Sequence, residues 1–309
     1  MNKKIIDVAH RAGVSPTTVS RVLNDSQLVT DETKLKVQKA IEELGYLPHA
    51  SAKSLRSQKT MTIGVVVPDI NVSYYAEIIK GIENVAYANK YKVLICDSDN
   101  SSKKERDYTN LLLDRTVDGL LLTQSQLSDE EIIRIHEYGF QLGVIGRYIE
   151  HPTLPCVYTD NRSFSTKVVD YLIENGHERI AFIGGYMDAS DSIDRFEGYK
   201  QAILNHDIPY LASLVEHGDF DEAGGYAAFM RLLAQGERFS SVFAANDEMA
   251  LGVYRACKEQ AIHIPGELSV VGVDNNRISQ YVTPALSTVN QPKYRMGGTH
   301  CGKADRSSE

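Results

Sequence analysis

Residues 5–25 read IIDVAHRAGVSPTTVSRVLND, and the punctuation inside that run decides the N-terminal fold. Ile6, Val8, Ala9 and Ala12 form a short apolar face that stops at Gly13, and Ser15-Pro16 then opens a second helix. Ser15 suits an N-cap, where a side-chain oxygen satisfies an orphaned N–H, and Pro16 suits the first helical position because its missing N–H would be unpaired there anyway. Val19, Val22 and Leu23 supply a packed face, while Thr17, Thr18, Ser20, Arg21 and Asn24 project from the other side. Hydroxyl, amide and guanidinium groups on one face of a short rigid helix are what base edges in a major groove can pair with. A third helix is expected after Thr30 as cap, with Asp31 and Glu32 at its positive end, Leu35, Ala40, Ile41 and Leu44 inward, and Gly45 as stop. By composition alone, an ordinary small bundle of solvated helices fits as well.

The charge is divided unevenly. Residues 1–60 hold ten Lys/Arg and six Asp/Glu, leaving 23 and 35 in the remaining 249 of the 309 residues, so a positive segment precedes a strongly negative body. A positive segment is drawn to a phosphate polyanion, and an acidic body limits indiscriminate adhesion to it. No apolar run approaches the length that spans a bilayer and no leader is recognisable, so a soluble, unexported, cytoplasmic protein without membrane partners is expected. Cys96, Cys156, Cys257 and Cys301 are widely spaced with no CxxC pair, which favours reduced thiols over a disulfide or zinc framework.

The opening run, continued by ETKLKVQKAIEELGYLPHASAKSLR at 32–56, closely resembles the N-terminal signature of the lactose/galactose repressor (LacI/GalR) family over residues 3–58. The resemblance implies that Pro16, Thr17, Thr18, Ser20, Arg21 and Asn24 meet DNA, with Gly13 making the turn. It further implies that HASAKSLR at 49–56 is a hinge helix formed on operator DNA, with Ala52, Lys53, Leu55 and Arg56 in the minor groove and Leu55 as the wedge. Unstacking one base step costs a few kcal/mol, recovered through the bend and added backbone contacts. The plainer reading of 49–56 is a linker.

From Met61 onward, apolar runs alternate with amphipathic stretches: TIGVVVPD (62–69), KVLICDSD (92–99), DGLLLTQ (118–124), LGVIGR (142–147), CVYTD (156–160), RIAFIGG (179–185), SSVFAAN (240–246) and LSVVGVD (268–274). This rhythm predicts parallel α/β sheets covered on both faces, with ligands at the carboxyl ends of the strands. Asp69, Asp97, Arg147, Asp160, Asn246, Asp247 and Asp274 end those runs, although for any one Asp or Asn, helix capping is the more ordinary role. The family likeness continues through 160–185, RFEGYKQAI (195–203), FAANDEMALGVYRA (243–256), ELSVVGVDN (267–275) and PALSTVNQP (284–292). It implies two Rossmann-like lobes, similar to periplasmic sugar-binding proteins, clamping a sugar-like effector on Arg195, Asp274 and Asn246, with Tyr74, Phe220, Arg147, Asp247 and Gln291 lining the cleft. The alternative for Arg195 is a surface ion pair with Asp191, Asp194 or Glu197.

The expected organisation is a helix-turn-helix domain at 1–47, a hinge and linker at 48–60, and a two-lobed α/β effector domain at 61–296. Its lobes are placed at about 61–160 and 161–290, followed by an atypical tail at 297–309. After NQPKYRMG the residues GTHCGKADRSSE are polar and glycine-rich, so the tail is expected to be helix-poor, truncated, and to leave a lobe surface uncovered. No dinucleotide or P-loop fingerprint, GxSxG or HExxH occurs and the nine histidines lack ligand spacing, so neither cofactor, metal nor catalysis is expected. The expected function is a transcriptional regulator, by family habit a repressor, acting as a homodimer on double-stranded DNA under control of a small effector. Its rivals are a sugar-binding transport receptor, which the first sixty residues disfavour, and a sugar-processing enzyme.

Overall fold

The computed structural model describes residues 3–23, 28–46 and 59–299, and the chain divides into two units, Met1–Thr60 and Met61–Glu309. In the first unit, helix α1 (Ile5–Ala12) ends at Gly13 with φ of +67°, the left-handed conformation in which a Cβ is disfavoured. Helix α2 (Pro16–Leu23) is capped as expected, Ser15 Oγ accepting the Thr18 N–H at 3.1 Å. Helix α3 (Asp31–Leu44) stops at Gly45, φ +58°. Thr30 makes no cap bond; its hydroxyl pairs with that of Thr33 instead.

The small core joins Val8, Ala9, Val19, Val37, Ala40 and Tyr46. Two expected core residues are corrected: Ile6 is 62% exposed and Leu35 67% exposed. Their places are taken by Ile5 and Val37, which complete the runs Ile5-Val8-Ala9-Ala12 and Val37-Ala40-Ile41-Leu44 at spacings i, i+3, i+4, i+7, the true helical stripe.

In the second unit, strands β1 (Thr62–Val67), β2 (Lys92–Asp97), β3 (Gly119–Thr123), β4 (Leu142–Ile145) and β5 (Cys156–Val157) form one parallel sheet in the order β2-β1-β3-β4-β5. Between them run α4 (Ser73–Ala88), α5 (Ser102–Leu113) and α6 (Asp129–Glu137). Adjacent residues of β1 serve opposite faces: Val66 packs with Leu120, Leu122 and Ile132, whereas Val65 and Val67 pack with Ile78, Ile82 and Met296. The chain then crosses into a second lobe at α7 (Asn161–Glu174), followed by β6 (Ile180–Gly184), α8 (Ser190–Asn205), β7 (Val215–His217), α9 (Glu222–Ala234), β8 (Ser241–Ala244), α10 (Asp247–Glu259), β9 (Ser269–Val273) and β10 (Ser287–Val289). This sheet is also wholly parallel, ordered β10-β9-β8-β6-β7, around Phe182, Tyr199, Phe229 and Phe243.

After β10 the chain returns to the first lobe, and the Thr159 hydroxyl donates to Gln291 Oε1 at 3.0 Å, tying the two crossing segments together. One part of the expected tail is helical: the last helix runs to Gly298, two residues into the stretch expected to be helix-poor. Helix α11 (Lys293–Gly298) packs on α4 so closely that a Cβ on Gly81 would overlap the Tyr294 carbonyl and one on Gly297 the Ile78 carbonyl. Gly297 and Gly298 therefore serve a close helix crossing; residues 300–309 lie outside the described residues. Among the described residues no helix is long and apolar enough to cross a membrane, and Cys96, Cys156 and Cys257 are buried free thiols.

Candidate functional sites: a polar helix face and an interlobe cleft

On α2, Pro16, Thr17 and Arg21 are exposed, Thr18 and Ser20 half-buried, and Val19 buried beneath them. The hydroxyls of Ser15 and Thr18 share a hydrogen bond, which fixes the first turn. Arg11 is paired with Glu43, whereas Arg21 is exposed and makes no ion pair among the described residues. Asn24, Ala52, Lys53, Leu55 and Arg56, together with the expected hinge helix, lie outside the described residues.

In the second unit the strand exits converge on a cleft of about 260 Å³. The first lobe contributes Asp69 after β1, Tyr74 and Tyr75 at the start of α4, Gln124 to Leu127 after β3, and Arg147 after β4. The second lobe contributes Tyr186 and Asp188 after β6, Asp191 and Arg195 on α8, Phe220 after β7, Asn246 after β8 and Asp274 after β9. Most of the parallel strands deliver their carboxyl ends to the same opening, which is where this topology leaves room for a ligand, while the exits of β5 and β10 line a separate cavity.

Arg195 is 3% exposed and firmly held. Its Nε donates to Asn161 Oδ1 at 2.8 Å, Nη1 to the Ala245 carbonyl at 2.5 Å, and Nη2 lies 3.5 Å from Asp191 Oδ2. Phe164 and Phe220 lie over its guanidinium carbon at 5.5 and 5.7 Å. Arg195 lines the cleft and also pairs with Asp191, but that pair is buried rather than the surface ion pair of the alternative reading. Asn246 caps α10 through Met249 N–H and donates to the Phe220 carbonyl at 2.8 Å, so its capping and cleft-lining positions coincide. Phe220 (φ +60°), Asp274 (+114°) and Gln124 (+45°) all hold left-handed backbone. Such strain persists only where packing over-determines it and gathers at functional sites.

Burial pushes the Asp274 carboxyl up to about 7; Arg195 and Lys293 oppose the shift and Asp247 adds to it. Asp274 Oδ1 accepts from Gln291 Nε2 at 2.8 Å. Asp247 and Gln291 do not line the cleft, contrary to expectation. Asp247, fully buried, accepts from the Asn276 N–H at 2.7 Å and the Thr288 hydroxyl at 2.6 Å, so it holds the loop behind Asp274; burial raises it to about 6. Gln291 steadies Asp274 from behind and faces a separate cavity beside the crossing segments.

The match to known families follows the same division. Residues 4–49 match the model described as bacterial regulatory proteins, lacI family, and residues 60–298 match periplasmic binding proteins and sugar binding domain of LacI family. The chain belongs to the LacI family. As a member it is a DNA-binding transcriptional regulator with an effector domain. LacI-family relatives include the catabolite control protein A of Priestia megaterium, 35% identical over 298 residues that cover 96% of this chain and 90% of the relative. The transcriptional repressor PurR of Pectobacterium atrosepticum is 36% identical, covering 95% and 86%. Among solved structures, a lac repressor dimer bound to operator and the anti-inducer ONPF superposes with a TM-score of 0.86 at 26% identity, covering 96% and 90%. A complex of the regulator CelR with cellobiose gives 0.71 at 31% identity over the same shares.

Several cleft residues had no sequence signal of their own in this LacI-family chain. Tyr75, Gln124 and Tyr186 are brought in by the turns after β1, β3 and β6. Glu105, buried on α5, accepts from Ser125 Oγ and the Gln126 N–H, while Arg147 donates to the Leu127 carbonyl and pairs with Asp129. The cleft wall at 125–127 is therefore clamped by two charged groups from behind. Asp160 caps α7 through the Ser163 N–H, and Asp97 accepts from the Asp99 N–H, so capping or turn roles account for both.

Proposed function

We propose that this regulator is a cytoplasmic homodimeric repressor that binds operator DNA through α2 and releases or tightens it according to a small effector held in the interlobe cleft. The observation that carries the effector half is Arg195. It is a buried guanidinium held by three protein partners between two aromatic rings and pointed at a polar cleft, the preorganised fork that binds vicinal hydroxyls or similar polar groups. Asp274 and Asn246 join it in contacting the effector, Tyr74 and Phe220 cover its apolar faces, and Arg147 braces one wall.

For the DNA half, the exposed Arg21, Thr17 and Pro16 with Thr18 and Ser20 read base edges and position the helix. Asn24, Ala52, Lys53, Leu55 and Arg56 join them on the strength of the family resemblance. Relatives with solved structures bind operator DNA as a dimer and cellobiose as a ligand, which supports the same division of labour here. The relatives are regulators, and no catalytic role is assigned to the cleft. Effector and operator are linked through one equilibrium, so whichever ligand prefers one state weakens or strengthens the other by about 1–3 kcal/mol.

The test is selection of duplexes from a random pool by the purified chain, repeated with panels of sugars and nucleosides. A single preferred duplex whose retention changes with one class of metabolite is the expected result. Equal retention of all duplexes under every condition overturns the reading.

A further inference from the structure

The residues lining the cleft include six aspartates, Asp69, Asp188, Asp191, Asp219, Asp221 and Asp274, against two arginines, Arg147 and Arg195. Both arginines are already partly committed to protein acceptors. Arg147 commits both terminal nitrogens, to Asp129 and to the Leu127 carbonyl, and Arg195 is bound by Asn161, the Ala245 carbonyl and Asp191. The excess negative charge has an inner and an outer part. Inside, Asp191 and Asp274, 7% and 4% exposed, share the single guanidinium of Arg195. Asp274 lines the cavity and gives Oδ1 to Gln291, while among the described residues no hydrogen bond reaches its Oδ2. The Tyr74 hydroxyl, on a side chain 7% exposed that also lines the cavity, has none either. Outside, Asp219 and Asp221 from one lobe and Asp69 from the other approach the Tyr186 phenol, hindering its ionisation after the burial that chiefly does so.

A cleft walled by one sign of charge focuses the field and concentrates ligands of the opposite sign. Two buried carboxylates that share one guanidinium keep an uncompensated charge, which is unfavourable until a cation or a proton reaches it. The aromatic faces of Tyr74, Tyr75 and Tyr186 add a preference for positive charge that a phosphate would not share. Among the described residues no three Asp, Glu, His or Cys groups are placed to hold a metal ion, so the missing charge falls to an organic cation.

We propose that the effector of this protein is an amine-bearing metabolite of about monosaccharide size, its ammonium group seated between Asp274 and Asp191. This rests on the cleft being the effector site, and it narrows the ligand to a positively charged class. A neutral sugar offers the Asp274 oxygen a hydroxyl donor but leaves the negative charge of the cleft uncompensated, whereas an ammonium group supplies both. A sugar phosphate meets repulsion from both tiers of aspartates.

The experiment is calorimetric and thermal-shift titration of the full chain with D-glucosamine, N-acetyl-D-glucosamine, D-glucose and D-glucose 6-phosphate, with the matching galactose set and agmatine. Within each set the sugar ring is constant while one substituent and its charge change. Free amines are expected to bind, with acetylation weakening them roughly tenfold or more, as loss of a charge-assisted contact does. Asp274→Asn is expected to weaken amine binding about thirtyfold or more. The rim pair Asp188→Asn with Asp219→Asn, both exposed and harmless to folding, is expected to weaken it about threefold, and less at high salt. Neutral or phosphorylated members binding as tightly as the amines overturn the inference, and so does an absence of binding by every amine. If a metabolite outside the amine class changes duplex retention while amines do not, the regulator reading stands and only this inference falls.

Discussion

Asp274 and Arg21 are single side chains whose surroundings make opposite demands on them. Asp274 keeps its carboxyl at about 7, against an ordinary 3.8, because burial disfavours the charged form more than Arg195 and Lys293 restore it. An acid raised in this way binds more protons folded than unfolded between those values. Its contribution to stability is therefore complete below the unfolded value and is lost as pH rises through about 7. Asp274→Asn removes the charge and keeps the shape, so it is expected to raise Tm at pH 8 by about 2–4 °C, the shift that about 1 kcal/mol produces in a domain of this size. The gain should shrink at pH 5, and melts at the two pH values showing equal gains would contradict the assignment. Arg21, exposed and without an ion-pair partner among the described residues, has no such conflict. Arg21→Ala is expected to lose roughly 1–3 kcal/mol of discrimination at one base pair and nothing in the cleft. Competition among duplexes differing at single positions measures this. Arg195, Asn246 and Asp274 were legible in the sequence because each sits in a dense local motif. Asp191 was legible only as a partner of Arg195, and Gln124 not at all, because what makes each a cleft residue is the opposite lobe.

At the scale of elements, the apolar pattern gave eight strands of the α/β unit correctly and passed over β7 and β10. Both are short edge strands, VEH and STV, with one neighbour each and no face fully buried, so no continuous apolar run marks them. Phase was the other difficulty. Ile6 and Leu35 are apolar but lie one and two positions off the stripe set by Ile5 and Val37, and only counting every i, i+3, i+4, i+7 match separates a core leucine from an exposed one. Only the end of helix α11, Gly297 and Gly298, differs from the expected helix-poor tail: glycine lowers helix propensity, whereas here Gly297 and Gly81 allow two backbones to touch. A methyl group at Gly81 would meet backbone, which cannot swing aside. Gly81→Ala is accordingly expected to destabilise the second unit by about 1–3 kcal/mol, the usual range for overpacking, despite alanine's better helix propensity. Urea titration checks it, and an unchanged midpoint would show that α11 is not held against α4.

The two-lobed plan as a whole was legible from strand rhythm and family likeness, but its fastening was not, because no local pattern marks the side chains that bond from one lobe to the other. Thr159 to Gln291 is one such bond, and Lys293 is the stronger fastening. Lys293 begins α11, which packs on the first lobe, yet its ammonium reaches the exit of β9 in the second. It donates to the carbonyls of Asp274 at 2.5 Å and Asn275 at 3.2 Å and to Asn276 Oδ1 at 3.2 Å, and lies 3.2 Å from Glu77 Oε1 on α4. At 2% exposure this cation is screened little by water, so its loss leaves several buried acceptors without a donor. Lys293→Met keeps the length of the side chain and removes the head, and is expected to lower stability by roughly 3–5 kcal/mol, the range for breaking a buried charged contact. The form of the loss is the more telling readout. If Lys293 joins the lobes into one cooperative unit, urea unfolding of the variant should show a smaller m-value or two separated steps, because the lobes then open independently. A lower midpoint with an unchanged, single-step m-value would mean that Lys293 stabilises its own loop without coupling the lobes, and the route by which an effector at Asp274 reaches the first lobe would have to run through the Thr159–Gln291 crossing instead.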